Sequence, residues 1–89
     1  MIRDKEQYIA DFYYKTENYD AAIWRYKDIL SNFKEKKLLK HSVNRIVLAS
    51  YYAKDWDNCY EFMKKFEKFL VKNSEMREAT NKCNEKYNR

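Results

Sequence analysis

The chain has 89 residues, a net charge of +5 and neither glycine nor proline, and 18% of its residues are aromatic. Without glycine it cannot form the phosphate-binding loops or dinucleotide fingerprints that need backbone with no Cβ beside phosphate, and the lack of both residues argues against strand-rich folds with tight turns. The aromatic content argues against disorder, because aromatic side chains bury large areas. We expect one small helical domain.

The first third of the chain predicts a pair of helices, one from about Asp4 to Thr16 and one from about Tyr19 to Phe33. The second carries one stripe of apolar side chains at steps of three and four, the spacing of an amphipathic helix. This predicted core stripe consists of Tyr19, Ala22, Ile23, Tyr26, Ile29, Leu30 and Phe33. Asn18 is placed to cap it, and Asp20 lies in its first turn, where the helix dipole favours a negative charge.

A charged connector, residues 34–37, leads to a second predicted pair. The third helix covers about Leu38 to Lys54, with these side chains inward: Leu39, Val43, Ile46, Val47, Ser50 and Tyr51. The fourth covers about Trp56 to Lys72 with Asp55 as its cap, and its predicted core face consists of Trp56, Cys59, Tyr60, Met63, Phe66, Phe69 and Leu70.

The tail, Asn73 to Arg89, is polar, but four apolar positions keep the helical spacing: Met76, Ala79, Cys83 and Tyr87. This spacing predicts a fifth helix that caps the open end of the last pair. The alternative is a disordered tail.

The two helix pairs repeat one pattern of aromatic pair, polar turn, aromatic residue, acidic residue and small residue. Tyr19 and Trp56 are equivalent at an offset of 37 positions. The second turn reads as one residue shorter, so Tyr13 is matched with Tyr51 at an offset of 38. Helix pairs at such a period are typical of tetratricopeptide-like arrays.

Residues 13–30 and 51–70 resemble tetratricopeptide repeats. The resemblance implies an all-α fold in a single domain, residues 1–89, made of two helix-turn-helix repeats, at about 4–33 and 38–72, plus a capping helix or tail at 73–89. Three segments, Ala10–Lys15, Asn18–Ile23 and Phe66–Leu70, are similar to the BamD family of lipoproteins, which serve the machinery that assembles outer-membrane β-barrels.

Membership of that family implies a non-enzymatic interaction module on the periplasmic face of the bacterial outer membrane. Its expected partners are the periplasmic domains of the barrel-assembly subunit and unfolded outer-membrane protein segments. Proteins of that family carry a lipid anchor on an N-terminal cysteine, and membrane contact is expected only through such an anchor. No cysteine near the N-terminus of this sequence corresponds to it. The alternatives are a periplasmic adaptor of the Tol–Pal type and a basic helical domain that binds nucleic acid, and outside the BamD resemblance the expected location is the cytoplasm.

The repeat resemblance also predicts the partner-binding face: Gln7, Asp11, Tyr14 and Lys15 in the first pair, and Ser42, Arg45, Ala49, Tyr52 and Ala53 in the second. Tyr14 and Tyr52 are the strongest candidates, because exposed tyrosines often anchor interfaces. The alternative for each is an ordinary half-buried surface tyrosine. A basic run that includes Lys36, Lys37 and Lys40 is predicted to meet an acidic partner or phosphate headgroups, unless it is simply a solvated connector.

The sequence predicts no enzymatic activity, no cofactor and no metal site, since its histidine is single and its cysteines lie far from it. His41 is expected to face solvent or a partner. Cys59 has two interpretations. It is a buried thiol that fills space, or it pairs with Cys83 if the tail folds back, because the midpoint between the two lies close to the expected turn at residues 72–73.

Overall fold

The computed structural model describes residues 2–88, with side chains from Lys5 onward. These residues form five α-helices and a short 3-10 helix: α1 (Ile2–Lys15), α2 (Tyr19–Asn32), α3 (Lys36–Tyr52), α4 (Trp56–Lys65), the 3-10 helix Glu67–Phe69 and α5 (Ser74–Tyr87). No strand occurs in this range, so the all-α prediction is confirmed. Each α-helix packs against the one before it, and α3 also contacts α1 and α5. None of these helices is both long enough and apolar enough to cross a membrane.

Two clusters of buried apolar side chains form the core. The first joins α1, α2 and α3 and contains Ala10, Ala22, Tyr26, Ile29, Leu38 and Ile46. The second joins α3, α4 and α5 and contains Val47, Leu48, Cys59, Met63, Met76, Ala79 and Cys83. Tyr14 and Phe62 are partly buried against both clusters. Helix α3 contributes to each cluster and is therefore the central element.

The turn between α1 and α2 closes with a Schellman motif. Glu17 has a φ of 63°. The Asn18 N–H donates to the Tyr13 carbonyl at 2.8 Å, and the Glu17 N–H donates to the Tyr14 carbonyl at 3.1 Å. These bonds satisfy two carbonyls that a helix end leaves open. Asn18 occupies the N-cap position of α2, but its side chain makes no capping hydrogen bond.

The turn between α3 and α4 has the same motif at a constant offset of 37 residues. Lys54 has a φ of 61°. The Asp55 N–H donates to the Ser50 carbonyl at 2.8 Å, and the Lys54 N–H donates to the Tyr51 carbonyl at 3.2 Å. Tyr51 is thus equivalent to Tyr14, and the prediction of a shortened second turn is wrong. Ser50 stands where the first turn has a tyrosine, and this size change concealed the alignment.

Helix α4 ends at Lys65, although its pattern predicted a helix to Lys72. The buried side chain of Asn44 holds the following segment out of the helix. Its Nδ2 donates to the Phe69 carbonyl at 2.9 Å, and its Oδ1 accepts from the Val71 N–H at 2.8 Å. Because these backbone groups find partners on α3, the chain leaves the helix without stranding them.

Fewer side chains of α4 and of the segment after it are buried than the pattern predicted. Cys59 and Met63 are buried as predicted, whereas the remaining members of the predicted core face are only half-buried: Trp56, Tyr60, Phe66, Phe69 and Leu70. In α3, Leu39 and Tyr51 are likewise only half-buried. The predicted cap of α4 is confirmed, since the Asp55 carboxylate accepts from the Asn58 N–H at 3.3 Å.

Helix α5 folds back on α4, as the tail spacing predicted, and a disulfide joins Cys59 to Cys83 with 6.0 Å between their Cα atoms. Of the two interpretations of Cys59, the disulfide is the one found. Tyr87 lies outside the core, where it stacks on Tyr60 with 3.9 Å between ring centroids. The Asn73 side chain caps α5 by accepting from the backbone of its first turn. The cap holds the first turn of α5, and the disulfide attaches a later turn of the helix to α4.

Candidate protein-binding groove

An open groove of about 390 Å³ runs between the end of α1, the end of α3 and the first turn of α5. Five predicted partner-binding residues line it: Asp11, Tyr14, Lys15, Arg45 and Tyr52. Three further side chains complete it: Glu17, Tyr19 and Glu75. We call this cavity the tyrosine groove. The structure therefore brings together five of the nine residues that the repeat resemblance assigned to one face.

Tyrosine rings cross the tyrosine groove from one helix pair to the next. Tyr14 meets Tyr19 edge to face with centroids 5.7 Å apart, and Tyr19 stacks on Tyr52 at 5.3 Å. Tyr52 in turn contacts Tyr51 at 5.0 Å. Such ring pairs contribute stabilisation in addition to that from the apolar area they bury, and each ring keeps a hydroxyl for polar contact.

Charged side chains hold this aromatic surface in place. The Arg45 guanidinium lies 4.1 Å from the centroid of the Tyr14 ring, a cation–π contact. The Tyr52 hydroxyl donates to a Glu75 carboxylate oxygen, and this bond is the main cause that raises the pKa of Tyr52. Burial, with a contribution from Glu75, raises the pKa of Tyr14 to about 12. Both phenols are therefore neutral at physiological pH and able to donate hydrogen bonds.

Asp11 anchors one end of the tyrosine groove to the core. Its Oδ1 accepts from the Tyr26 hydroxyl and lies 2.8 Å from His41 Nε2. Burial and the hydrogen bond that the Tyr26 hydroxyl donates to Asp11 raise the pKa of Tyr26. His41, expected to face solvent or a partner, is instead half-buried and packs edge-on against the Tyr26 ring. Asp11 and His41 thus tie α1, α2 and α3 together, and only part of Asp11 remains free to meet a ligand.

Several predicted residues lie outside the tyrosine groove. Gln7 is half-buried on α1 and does not line it. Lys36, Lys37 and Lys40 are exposed near the start of α3, which begins at Lys36 instead of after the predicted connector. Their exposure does not test the prediction that this basic run meets an acidic partner, which stays a prediction.

The predicted inner face is wrong at two small residues of α3. Ser42 and Ala49 are fully buried, and Ala53 is half-buried and away from the groove. The physical reason is the central place of α3, which has neighbours on several sides, so that small side chains on it serve close helix packing instead of binding.

Sequence reasoning missed Glu75 and misplaced Tyr19. Tyr19 was predicted to lie in the core stripe of α2 but is half-buried at the groove. Glu75 enters the groove only because α5 folds back against α3 and α4. The sequence did contain a signal for the position of Glu75, because this acidic residue follows the Asn73 cap in the first turn of a predicted helix, where the helix dipole favours a negative charge.

A second open groove of about 450 Å³ lies next to the first and shares Tyr52 with it. It is lined by Tyr51, Tyr52, Lys54, Trp56, Lys82 and Lys86. We call it the lysine-rimmed groove. Its floor is aromatic and its described charges are positive, whereas the tyrosine groove carries both signs. Trp56 was predicted to be a core residue and is another member that sequence reasoning misplaced.

A scan against models of protein families, a search of curated proteins and a search of solved structures each found no match for this chain. Within the part of the chain that the structure describes, no group of three or more His, Cys, Asp or Glu side chains is arranged to hold a metal ion. The features of this chain that bear on function are the two grooves and the sequence pattern.

Proposed function

We propose that this protein is a non-enzymatic, tetratricopeptide-like interaction module that binds an extended segment of a partner protein across Tyr52. The observation that carries the proposal is the meeting of two open grooves at this one tyrosine, whose side chain is 42% exposed. Exposed tyrosines beside arginine are typical anchors of protein interfaces, and charged rims set the orientation of the partner.

The charges of the two grooves define the segment that fits. The lysine-rimmed groove suits an apolar or aromatic side chain followed by acidic residues, because Lys54, Lys82 and Lys86 surround its aromatic floor. The tyrosine groove offers hydroxyls together with Arg45 and Glu75, which suits polar backbone and side-chain groups.

The more specific proposal is a BamD-like role, with the barrel-assembly subunit and unfolded outer-membrane protein segments as partners. Its support is the resemblance of residues 10–15, 18–23 and 66–70 to that family. The disulfide between Cys59 and Cys83 supports a periplasmic location, because disulfides persist in oxidising compartments.

The test is capture of proteins from a solubilised envelope extract of the source organism with wild-type, Tyr52→Ser and Tyr87→Ser baits. Tyr87 is 48% exposed but lines neither groove, so it is the matched control. We expect the barrel-assembly subunit to be retained by the wild type and by Tyr87→Ser, and about tenfold less by Tyr52→Ser. Tyr14 is unsuitable for substitution because it packs against both core clusters.

Two outcomes would contradict parts of the proposal. Retention of no barrel-assembly subunit by the wild type would reject the BamD-like role. Equal capture by the Tyr52→Ser and wild-type baits would reject the groove as the binding site.

A second candidate function has a separate observation behind it. A cavity of about 780 Å³ at the α4–α5 turn is lined by Lys64, Lys65, Phe66, Glu67, Lys68, Phe69, Leu70 and Lys72. Aromatic rings among lysines are what single-stranded nucleic acid binds by stacking and phosphate contact. Binding of a labelled oligonucleotide would then fall steeply with salt, and absence of such binding at low salt would remove this candidate.

A further inference from the structure

The outer side of α1 is uncovered where the equivalent side of α3 is covered. At the offset of 37 that the two turns establish, Tyr8 corresponds to Arg45 and Phe12 to Ala49. Ala49 is fully buried and Arg45 is half-buried, whereas Tyr8 is 72% and Phe12 54% exposed. The face of α1 that corresponds to this packed face of α3 is therefore uncovered, and two aromatic rings lie on it.

The structure also shows what covers this face when it is occupied. On α3, the covering element is the preceding pair of amphipathic helices. The Tyr14 ring lies over Arg45, and Tyr19 stacks on Tyr52. The Tyr26 ring lies against His41. Continuation of this interface by one repeat would lay helices with an apolar stripe against Tyr8 and Phe12.

The charges at this face decide which helices fit. Lys5, Tyr8, Phe12 and Lys15 fall at steps of three, four and three along α1, and all four are exposed. We call this stripe the α1 outer face. Its two aromatic rings lie between two lysines, so an occupant needs apolar side chains flanked by acidic ones.

A second copy of this chain is a poor occupant. A two-fold contact through the same face would bring Lys5 and Lys15 of one copy toward those of the other, and like charges across an interface oppose association. A helix with acidic flanks has no such penalty.

We propose that the α1 outer face docks an amphipathic helix of a partner polypeptide, with acidic residues on both sides of its apolar stripe. This contact is centred on Tyr8 and Phe12 instead of Tyr52, although Lys15 borders both surfaces, and it goes beyond the proposed function. It gives the protein two faces, one that reads an extended chain and one that stacks a helix.

The test uses two synthetic helical peptides that share a leucine stripe at i, i+3, i+4 and i+7. One carries glutamates on both flanks and the other carries lysines. Fluorescence anisotropy of each labelled peptide is measured with wild-type protein, Tyr8→Ser/Phe12→Ser, Trp24→Ser and Tyr52→Ser. Trp24 is 71% exposed but lies on α2, outside the α1 outer face, and serves as the matched control.

We expect the glutamate-flanked peptide to bind the wild type at least tenfold more tightly than the lysine-flanked one. The Tyr8→Ser/Phe12→Ser protein should bind it at least tenfold more weakly, while Trp24→Ser and Tyr52→Ser bind as the wild type does. Because Tyr8 and Phe12 are exposed, circular dichroism should show an intact fold in the double variant.

Three kinds of outcome would overturn the proposal. One is a failure of the expected peptide binding, shown either by no binding of the glutamate-flanked peptide at about millimolar concentration or by equal binding to the double variant. Another is loss of binding with Tyr52→Ser alone, which would place the peptide in the grooves and favour the proposed function instead. The third is a wild-type dimer in sedimentation that the double variant dissolves, which would make a second copy the occupant.

Discussion

Glu17 and Lys54 hold the left-handed backbone of the two turns although neither is glycine. A side chain with a Cβ raises the energy of this conformation by roughly 1–2 kcal/mol, while glycine loses about 0.5–1 kcal/mol more backbone entropy on folding. The strain at these two residues lowers the stability of the protein. The turns still form, because the hydrogen bonds of the Schellman motif outweigh the strain.

Substitution of Lys54→Gly should raise the free energy of unfolding by about 0.5–1 kcal/mol, since it removes the strain and retains the turn bonds. Urea unfolding followed by circular dichroism measures this. Lys82→Gly is the control, because Lys82 is exposed within α5, where glycine should lower stability by about 1 kcal/mol. A loss of stability in both variants would contradict the left-handed turn.

Glu75 raises the pKa of the groove tyrosines. Its hydrogen bond is the main cause for Tyr52, whereas burial is the main cause for Tyr14 and Tyr19 and Glu75 contributes. Glu75→Gln should therefore lower the pKa of all three phenols, as measured by nuclear magnetic resonance titration of ring-labelled tyrosine. Glu78→Gln is the matched control, because Glu78 contacts Tyr51 and should change only the pKa of that residue.

The same shifts predict how stability depends on pH. A phenol whose pKa is raised in the folded protein binds its proton more tightly there than in the unfolded chain, which titrates near 10. The free energy of unfolding should thus be unaffected by these groups below pH 10 and fall as the pH rises toward about 12. A weaker fall in Glu75→Gln would support the assignment, and an unchanged fall would contradict it.

At the scale of elements, Asn44 of α3 determines where α4 ends. Its buried side chain bonds to the Phe69 carbonyl and the Val71 N–H. Asn44→Ala should lower the free energy of unfolding by about 1–2 kcal/mol, because both backbone groups lose their partner in a partly buried place. Chemical denaturation measures the loss, with exposed Asn81→Ala as control, and hydrogen exchange should quicken at the Val71 amide. Unchanged exchange there would mean that another group holds this segment.

The disulfide attaches α5 to the rest of the core. It closes a loop with a sequence separation of 24 residues, for which the chain-entropy model gives about 3.5 kcal/mol of stabilisation. Cys59→Ala/Cys83→Ala should lower the free energy of unfolding by about this amount in urea, and hydrogen exchange should rise first in α5. Reduction of the wild type with a thiol reagent should have the same effect, and no effect of either change would show that packing alone holds α5.

At the scale of the whole molecule, α3 and the two bridging rings, Tyr14 and Phe62, join both core clusters. We expect the chain to unfold as one cooperative unit, because neither cluster can lose its packing without exposing these shared side chains. The single-tryptophan variants Trp56→Phe and Trp24→Phe report on α2 and α4 respectively. Their fluorescence transitions in urea should have the same midpoint, and two separate midpoints would indicate independently folding pairs.

Much of this architecture was predictable from the sequence, and the exceptions share a cause. The helices, the cap at Asp55 and the return of α5 follow from local spacing and capping. The end of α4 was not predictable, because it depends on Asn44, 25 residues before the Phe69 carbonyl that it binds. The equivalence of the two turns was hidden by one change of residue size at Ser50.

The candidate site likewise contains residues that were predictable from the sequence and residues that were not. Asp11, Tyr14, Lys15, Arg45 and Tyr52 were found because the repeat pattern assigns one side of each helix to binding. Glu75 and the burial of Ala49 depend on which helices lie alongside α3, and no local pattern contains that information.

By itself, the sequence determined the all-helical class and, apart from the end of α4, the approximate positions of the helices, since these depend on residues three or four positions apart. Only the tertiary structure decided that the rings of Tyr14, Tyr19 and Tyr52 meet Glu75 in one groove, and that Tyr8 and Phe12 stay uncovered. The physical reason is that packing and hydrogen bonding between helices depend on pairs of residues far apart in the chain, which become neighbours only when the helices are assembled.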